Sequence, residues 1–130
     1  MDHQKDFRVA TNVNNILVTH AGLTDYFYNN YFDKEISDVR EIANCLNGLP
    51  LSDFWQDASP LWYRPGCDYK PMSIRQIVGH TPPGWIERSG IELNNFVSVD
   101  PYSQEGFGPD RYRYALIENG EISIFDSNRK

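Results

Sequence analysis

Two histidines in the chain stand where short apolar runs end, and imidazole is the side chain that proteins use most often to bind transition metals. Asn15–His20 and Arg75–His80 are each predicted to be a buried strand with a His at its end and a tight turn beyond it. If the two strands are neighbours in one sheet, His20 and His80 can share a metal ion. Taken singly, a His after a strand is more often an ordinary loop or core residue. Two imidazoles also fall short of the three or four protein ligands that such sites usually have.

A third candidate is Arg64, which lies in the segment Leu61–Pro65 between an aromatic residue and a proline. The planar guanidinium suits a phosphate or a carboxylate, because it can donate two parallel hydrogen bonds. The alternative is a surface arginine stacked on Trp62 or Tyr63. His3 belongs to a lead-in of about ten residues that we expect to be loose, and it is expected to be in solvent.

Other polar and aromatic groups have simpler interpretations. Asp100 and Asp126 follow strands and are expected to be turn residues without a catalytic role. The aromatic residues between Tyr26 and Phe32 are expected to pack in the core. The carboxylates expected on the solvated face of a helix are Glu35, Asp38 and Glu41.

The first half of the chain is predicted to carry the helices. Thr24 is suited to cap a helix that begins at Asp25. A second helix is predicted from Asp38, with apolar residues at helical spacing, and Asn47-Gly48 is expected to end it. One short helical turn is expected at 51–55, and a loop at 59–71, where prolines recur.

The second half is predicted to be mostly strand. Phe96–Val99 is expected to be a strand, and the residues 81–84 after His80 are expected to turn the chain at once. Asn119-Gly120 between two apolar runs is the strongest short signal for a hairpin. We therefore predict one domain spanning 1–130, of the α/β (α+β) class, with helices near the N-terminus and mainly antiparallel strands after residue 72.

Composition narrows the possible partners. The chain has 130 residues, with 12 Lys plus Arg against 18 Asp plus Glu, so its formal net charge is −6. An acidic chain without a basic run is a poor non-specific binder of nucleic acid or of anionic lipid. We expect no membrane span and no export signal, since no apolar stretch has the required length. Cys45 and Cys67 are expected to be reduced thiols in a cytoplasmic protein.

Three segments, in order, resemble motifs of one family. Ile16–Leu23 (Ile-Leu-Val-Thr-His-Ala-Gly-Leu), Leu61–Pro65 (Leu-Trp-Tyr-Arg-Pro) and Ile77–Pro82 (Ile-Val-Gly-His-Thr-Pro) look like the strand-His-small-Gly, Trp-x-Arg and Gly-His-Thr motifs of calcineurin-like metallophosphoesterases. The bacterial serine/threonine phosphatase and bis-nucleosyl tetraphosphatase branch is the most similar. The fold that this resemblance implies is part of an αββα sandwich.

The resemblance also implies roles for the candidate residues. His20 and His80 correspond to two imidazole ligands of one ion in a two-metal centre that holds Mn, Fe or Zn, and Arg64 corresponds to a residue that binds substrate phosphate. In the family, a metal-activated hydroxide attacks phosphorus while the ions neutralise the developing charge. Implied substrates are a phosphoprotein, a dinucleotide polyphosphate or a small phosphomonoester.

The chain also departs from the family pattern. The Asp-x-His, Gly-Asp-x-x-Asp and Gly-Asn-His segments, which supply the remaining ligands, are not found before His20. The chain therefore resembles the C-terminal half of the family, and we expect the isolated chain to bind metal weakly and to be inactive. An uncovered sheet edge is expected to favour self-association or binding of a separate N-terminal half. Two alternatives remain: a non-catalytic interaction module that keeps the family's fold, and an unrelated small α/β binding domain.

Overall fold

The computed structural model describes residues 8–32, 38–65, 69–81, 83–91, 95–99 and 113–126. Three α-helices and two β-sheets make up this part of the chain, which confirms a mixed α+β class. The strands are β1 (Ala10–Val13), β2 (Ile16–Thr19), β3 (Gln76–Val78), β4 (Phe96–Ser98), β5 (Arg113–Glu118) and β6 (Glu121–Asp126). The helices are α1 (Asp25–Tyr31), α2 (Val39–Gly48) and α3 (Pro83–Arg88), with a 3-10 helix at Leu51–Phe54.

The larger sheet has the strand order β1-β2-β3-β4, with β2 and β3 in its interior. β1 runs antiparallel to β2, whereas β2–β3 and β3–β4 are parallel pairs. The expectation of mainly antiparallel strands after residue 72 is therefore wrong for β3 and β4. Helices lie in both connections, α1 and α2 between β2 and β3, and α3 between β3 and β4, as parallel pairing requires a long crossover.

Strand β2 is buried on both faces. Successive side chains of a strand point to opposite faces, and Ile16 and Leu17 are both fully buried. All three residues of β3 are buried as well. Such short, continuous apolar runs are typical of interior parallel strands, which is why the sequence identified these two.

Strand β1 was not predicted from the sequence. The end of the expected loose lead-in is ordered, because Val9 and Ala10 are buried and Ala10 begins β1. Asn14 and Asn15 join β1 to β2 and both have positive φ, of 51° and 65°. This is the two-residue hairpin turn that Asn tolerates, but its Asn-Asn sequence is a weaker signal than Asn-Gly.

The first two helices form as their sequences predict. The Thr24 hydroxyl accepts a hydrogen bond from the Phe27 N–H at 3.0 Å, and the Asp38 carboxylate accepts one from the Arg40 N–H at 2.9 Å. Asp38 is thus a helix cap as well as a solvated side chain. α2 ends at Gly48, as the Asn47-Gly48 pair predicts, and extended Leu49 then precedes Pro50. Its four apolar residues at helical spacing are all buried: Val39, Ile42, Ala43 and Leu46.

Two groups of buried apolar residues hold these elements together. The first joins α1, α2 and the 3-10 helix to the sheet, and most of the aromatic run packs there, although Tyr26 is 50% exposed. The second is built around Tyr63, Val78, Ile86 and Phe96. Ile86 belongs to α3, a helix that stands where the sequence predicted only a turn. A helix of six residues that begins at Pro83 gives little periodic signal.

The Asn119-Gly120 hairpin is confirmed. Both residues have positive φ, of 51° and 79°, and Glu118 pairs with Glu121 across the turn. The Arg75 guanidinium donates to the Gly120 carbonyl. Cys45 is a free, exposed thiol. Several residues named in the predictions lie outside the described residues: His3, Glu35, Cys67, Pro82 and Asp100.

No helix in the described part of the chain combines the length and apolar character needed to cross a bilayer. Asp126, expected to be a turn residue, is the last residue of β6.

The half-buried Asn47 anchors β1 to α2, and its replacement should weaken the fold. Its side-chain oxygen accepts from the N–H groups of Val9 and Ala10 at 2.7 and 3.0 Å, and its amide donates to the Ala10 carbonyl at 2.8 Å. We expect Asn47→Ala to lower the free energy of unfolding by about 1–3 kcal/mol, because these backbone groups lose their partner. Urea unfolding measures this loss of free energy, and the exposed Asn44→Ala variant is the matched control. Equal stability of the two variants would contradict this role.

Candidate functional site

The parallel pairing of β2 and β3 brings His20 and His80 together. His20 directly follows β2, and His80 lies two residues beyond the end of β3. The two segments continue to pair past the strands, because the Gly79 N–H donates to the His20 carbonyl at 2.8 Å. In sheets of parallel strands, ligand sites form beyond the carboxyl ends of the strands, and both histidines lie there.

The two rings meet through one nitrogen each. His20 Nε2 lies 3.1 Å from His80 Nδ1, and the ring centroids are 4.8 Å apart with the planes inclined at 54°. His20 is exposed and His80 is half-buried, so solvent reaches the pair. Without an ion, one nitrogen donates a hydrogen bond and the other accepts it.

The distance between the two nitrogens also equals one that two ligands of a metal ion can have. Imidazole nitrogens bind Zn²⁺ at about 2.0–2.1 Å, so two nitrogens on one ion stand between about 2.9 and 3.4 Å apart, depending on the ligand angle. The observed 3.1 Å falls in this range. The described residues contain no group of three or more His, Cys, Asp or Glu side chains arranged to hold an ion. The two histidines alone therefore fall short of the three or four protein ligands that such sites usually have.

The backbone at His80 adopts an unusual conformation. Its φ is +66°, in the left-handed region that non-glycine residues rarely occupy. Such conformations persist where the surrounding structure enforces them, and they concentrate at functional sites. At His80, the left-handed turn redirects the chain just after β3.

Two buried hydroxyl groups flank the histidines in the sequence. Thr19 precedes His20 and is 6% exposed, while Thr81 follows His80 and is fully buried. Neither Oγ1 has a hydrogen-bond partner among the described residues. The Thr81 backbone is held differently, because its carbonyl accepts from the Ser98 hydroxyl at 2.5 Å, which ties this turn to β4.

The loop that carries Arg64 is fixed to the end of β2. The Ala21 N–H donates to the Pro60 carbonyl at 2.6 Å. Tyr63 is fully buried, and its hydroxyl donates to the Tyr69 carbonyl at 2.9 Å. A second anchor holds the segment after His20, because the buried Gln76 amide group bonds both the N–H and the carbonyl of Leu23, at 2.8 and 3.0 Å.

The Arg64 side chain lies over an indole that the sequence did not single out. Its guanidinium carbon is 5.4 Å from the centroid of the Trp85 ring, and Arg64 itself is exposed. The Trp85 N–H donates to the Pro65 carbonyl at 2.6 Å, which fixes the indole beside the loop. Arg64 does stack on an aromatic ring, as one of the two interpretations predicts, but the ring is that of Trp85 and not of Trp62 or Tyr63. The missed helix α3 supplies it.

A row of aromatic rings runs from the loop to the histidines. Trp55 and Trp62 have ring centroids 5.6 Å apart, and the Trp62 ring meets His80 edge-on with centroids 6.5 Å apart. Trp55 is 73% exposed and Trp62 45%. The sequence contained the Trp-Tyr-Arg segment but no signal that Trp62 touches His80, because this contact joins residues far apart in the chain.

The left-handed backbone at His80 can be tested by substitution. A β-branched residue is poorly tolerated at positive φ, whereas Asn is accepted there. We expect His80→Val to lower the free energy of unfolding by about 1–2 kcal/mol more than His80→Asn does. The matched control is the same pair of changes at His20, which lacks a positive φ. An equal Val-to-Asn difference at both sites in thermal or urea unfolding would contradict the assignment.

Comparison of the chain with protein-family models, with curated proteins and with solved structures found no match. The functional assignment therefore rests on the identity of these side chains and on their geometry.

Proposed function

We propose that this chain supplies a two-imidazole metal site and a phosphate-binding arginine to a metal-dependent phosphoesterase centre. The observation that carries the proposal is the 3.1 Å separation of His20 Nε2 and His80 Nδ1 beyond the ends of two parallel strands. The resemblance of three ordered segments to calcineurin-like metallophosphoesterases supports the same assignment.

The side chains suit this chemistry. His20 and His80 would hold Mn²⁺, Fe²⁺ or Zn²⁺ through neutral nitrogens, which leaves the positive charge of the ion uncompensated. A bound ion of this kind supplies a hydroxide at neutral pH and polarises a phosphoryl oxygen. Arg64 can orient the phosphate by donating two parallel hydrogen bonds, and its stacking on Trp85 restrains the guanidinium.

Metal binding by this chain alone should be weak and limited to one ion. Two imidazoles leave at least two positions of a four-coordinate ion to water or to ligands from elsewhere. Further ligands would come from residues outside the described part or from a second polypeptide. Candidate substrates are a phosphoprotein, a dinucleotide polyphosphate and a small phosphomonoester, and the exposed rings of Trp55 and Trp62 form a wall beside the histidines.

A second candidate function is a non-catalytic interaction module. The observation that favours it is the exposure of three indoles, with Trp55 at 73%, Trp62 at 45% and Trp85 at 41%, of which Trp55 and Trp62 are in contact. Exposed tryptophans of this size are enriched in protein interfaces. The same rings and the sheet edges at β1 and β4 support self-association or binding of a separate catalytic half.

Metal binding by the histidine pair can be measured by calorimetry with Zn²⁺ or Mn²⁺. We expect one ion per chain, and we expect His20→Ala and His80→Ala each to weaken binding by about tenfold or more, because each removes one of two protein ligands. His3→Ala is the matched control and should bind as the parent does. Unchanged affinity in the His20→Ala/His80→Ala double variant would remove the metal site from the account.

The role of Arg64 can be tested by titrating the Zn²⁺-loaded chain with inorganic phosphate. We expect binding that depends on the metal, and we expect Arg64→Gln to weaken this metal-dependent part by about tenfold, because a charge-assisted bidentate pair is lost. Arg88→Gln, an exposed arginine at the end of α3, is the control. If the two variants bind phosphate equally in the presence of metal, Arg64 does not contact the anion.

A further inference from the structure

A polar groove of about 250 Å³ lies between β1 and the face of α2 that carries Arg40. Its lining includes Arg8, Thr11, Arg40 and Asn44, and none of the groups of the histidine site belongs to it. Ala10 and Ala43 also line the groove and are buried at 2% and 4% exposure. Because these two side chains are small, they leave room between the strand and the helix.

The charge of this groove is opposite to that of the chain. Arg8 and Arg40 are its ionisable lining residues, and both are basic, in a chain of net charge −6. Neither guanidinium forms a hydrogen bond or an ion pair with a described residue. The acidic residues at the start of α2 are its cap Asp38, which accepts from the Arg40 N–H, and Glu41, and neither lines the groove. Two arginines whose guanidinium groups have no partner among the described residues therefore line one concave site.

The walls of the groove are held in place by the fold. Asn47 bonds three backbone groups at the start of β1, and Asn12 accepts from the Asn15 N–H at 3.1 Å in the hairpin turn. The amide oxygens of these two lining residues are thus engaged within the protein. The groups left for a ligand are the two guanidinium groups, the Thr11 hydroxyl and the Asn44 amide, a set rich in donors.

We propose that this groove binds a small phosphate-bearing molecule. Paired guanidinium groups recognise tetrahedral phosphate oxygens through bidentate, charge-assisted hydrogen bonds. The volume of about 250 Å³ lies below the usual range of pockets for drug-sized ligands, so it suits a phosphate group with a short organic substituent. The site is separate from Arg64 and stands whether or not the histidine pair binds metal.

The test uses the full chain with His20→Ala, His80→Ala and Arg64→Gln substitutions, without metal, so that phosphate binding at the histidine site cannot contribute. Inorganic phosphate and glycerol phosphate are titrated at constant ionic strength, with backbone amide NMR shifts as the readout. We expect shifts in β1 and the first turns of α2, and Arg8→Gln and Arg40→Gln each should weaken binding by about tenfold. Arg88→Gln should leave it unchanged.

Further arms separate the possible outcomes. Arg8→Lys and Arg40→Lys keep the charge, and we expect them to bind more weakly than the parent, since a lysine cannot donate the bidentate pair. Tighter binding of glycerol phosphate than of inorganic phosphate identifies an organic phosphate as the ligand class, and equal binding identifies the phosphate group alone. Binding of a glutamate-rich peptide but not of phosphate overturns the proposal. So does equal affinity of Arg8→Gln, Arg40→Gln and Arg88→Gln variants that retain the parent's thermal stability.

Discussion

The parallel pairing of β2 with β3 is the constraint on which the candidate site depends. Leu17 pairs with Gln76 and Val18 with Ile77. In this register the segments that follow β2 and β3 leave the sheet side by side. A shift of one residue would turn every side chain of β3 to the opposite face. In such a shift the buried Gln76 amide would lose its hydrogen bonds to the N–H and the carbonyl of Leu23, which would leave polar groups unpaired in the core. The core therefore fixes the distance between His20 and His80.

Several local contacts convert this pairing into a defined arrangement of side chains. The positive φ of His80 turns the chain sharply after β3, and the Gly79 N–H remains bonded to the His20 carbonyl. Gly22, in the turn after His20, lets the Phe96 ring pack close, because a Cβ at this position would stand 2.7 Å from that ring. The groups that hold the site are thus mainly backbone and buried aromatic rings, and the imidazoles remain accessible to solvent.

The sequence predicted those parts of the fold that have a local signal. The interior strands are continuous apolar runs, Thr24 caps α1, and Asn119-Gly120 forms the second hairpin, so these elements were identified correctly. Strand β1 and helix α3 were missed because each is short. β1 depends on Asn47, which lies far along the chain, and α3 begins in a proline-rich segment. The parallel pairing of β3 with β4 is likewise set by the crossover helix and not by the strand residues.

The candidate site shows the same division. The sequence singled out both histidines and Arg64, since each follows a recognisable local pattern. The stacking of Arg64 on Trp85 and the contact of Trp62 with His80 depend on tertiary structure, and neither had a sequence signal. The groove is lined by Arg8, which precedes β1, and by Arg40 of α2, and no sequence motif links these two residues.

The most direct test of the central claim is long-range ¹H–¹⁵N NMR of the histidine rings during titration with Zn²⁺. The account predicts that the resonances of His20 Nε2 and His80 Nδ1 shift together and saturate at the same metal concentration, while His3 does not respond. Coordination through the other ring nitrogens, or separate saturation of the two rings, would show that they do not share an ion and would contradict the account.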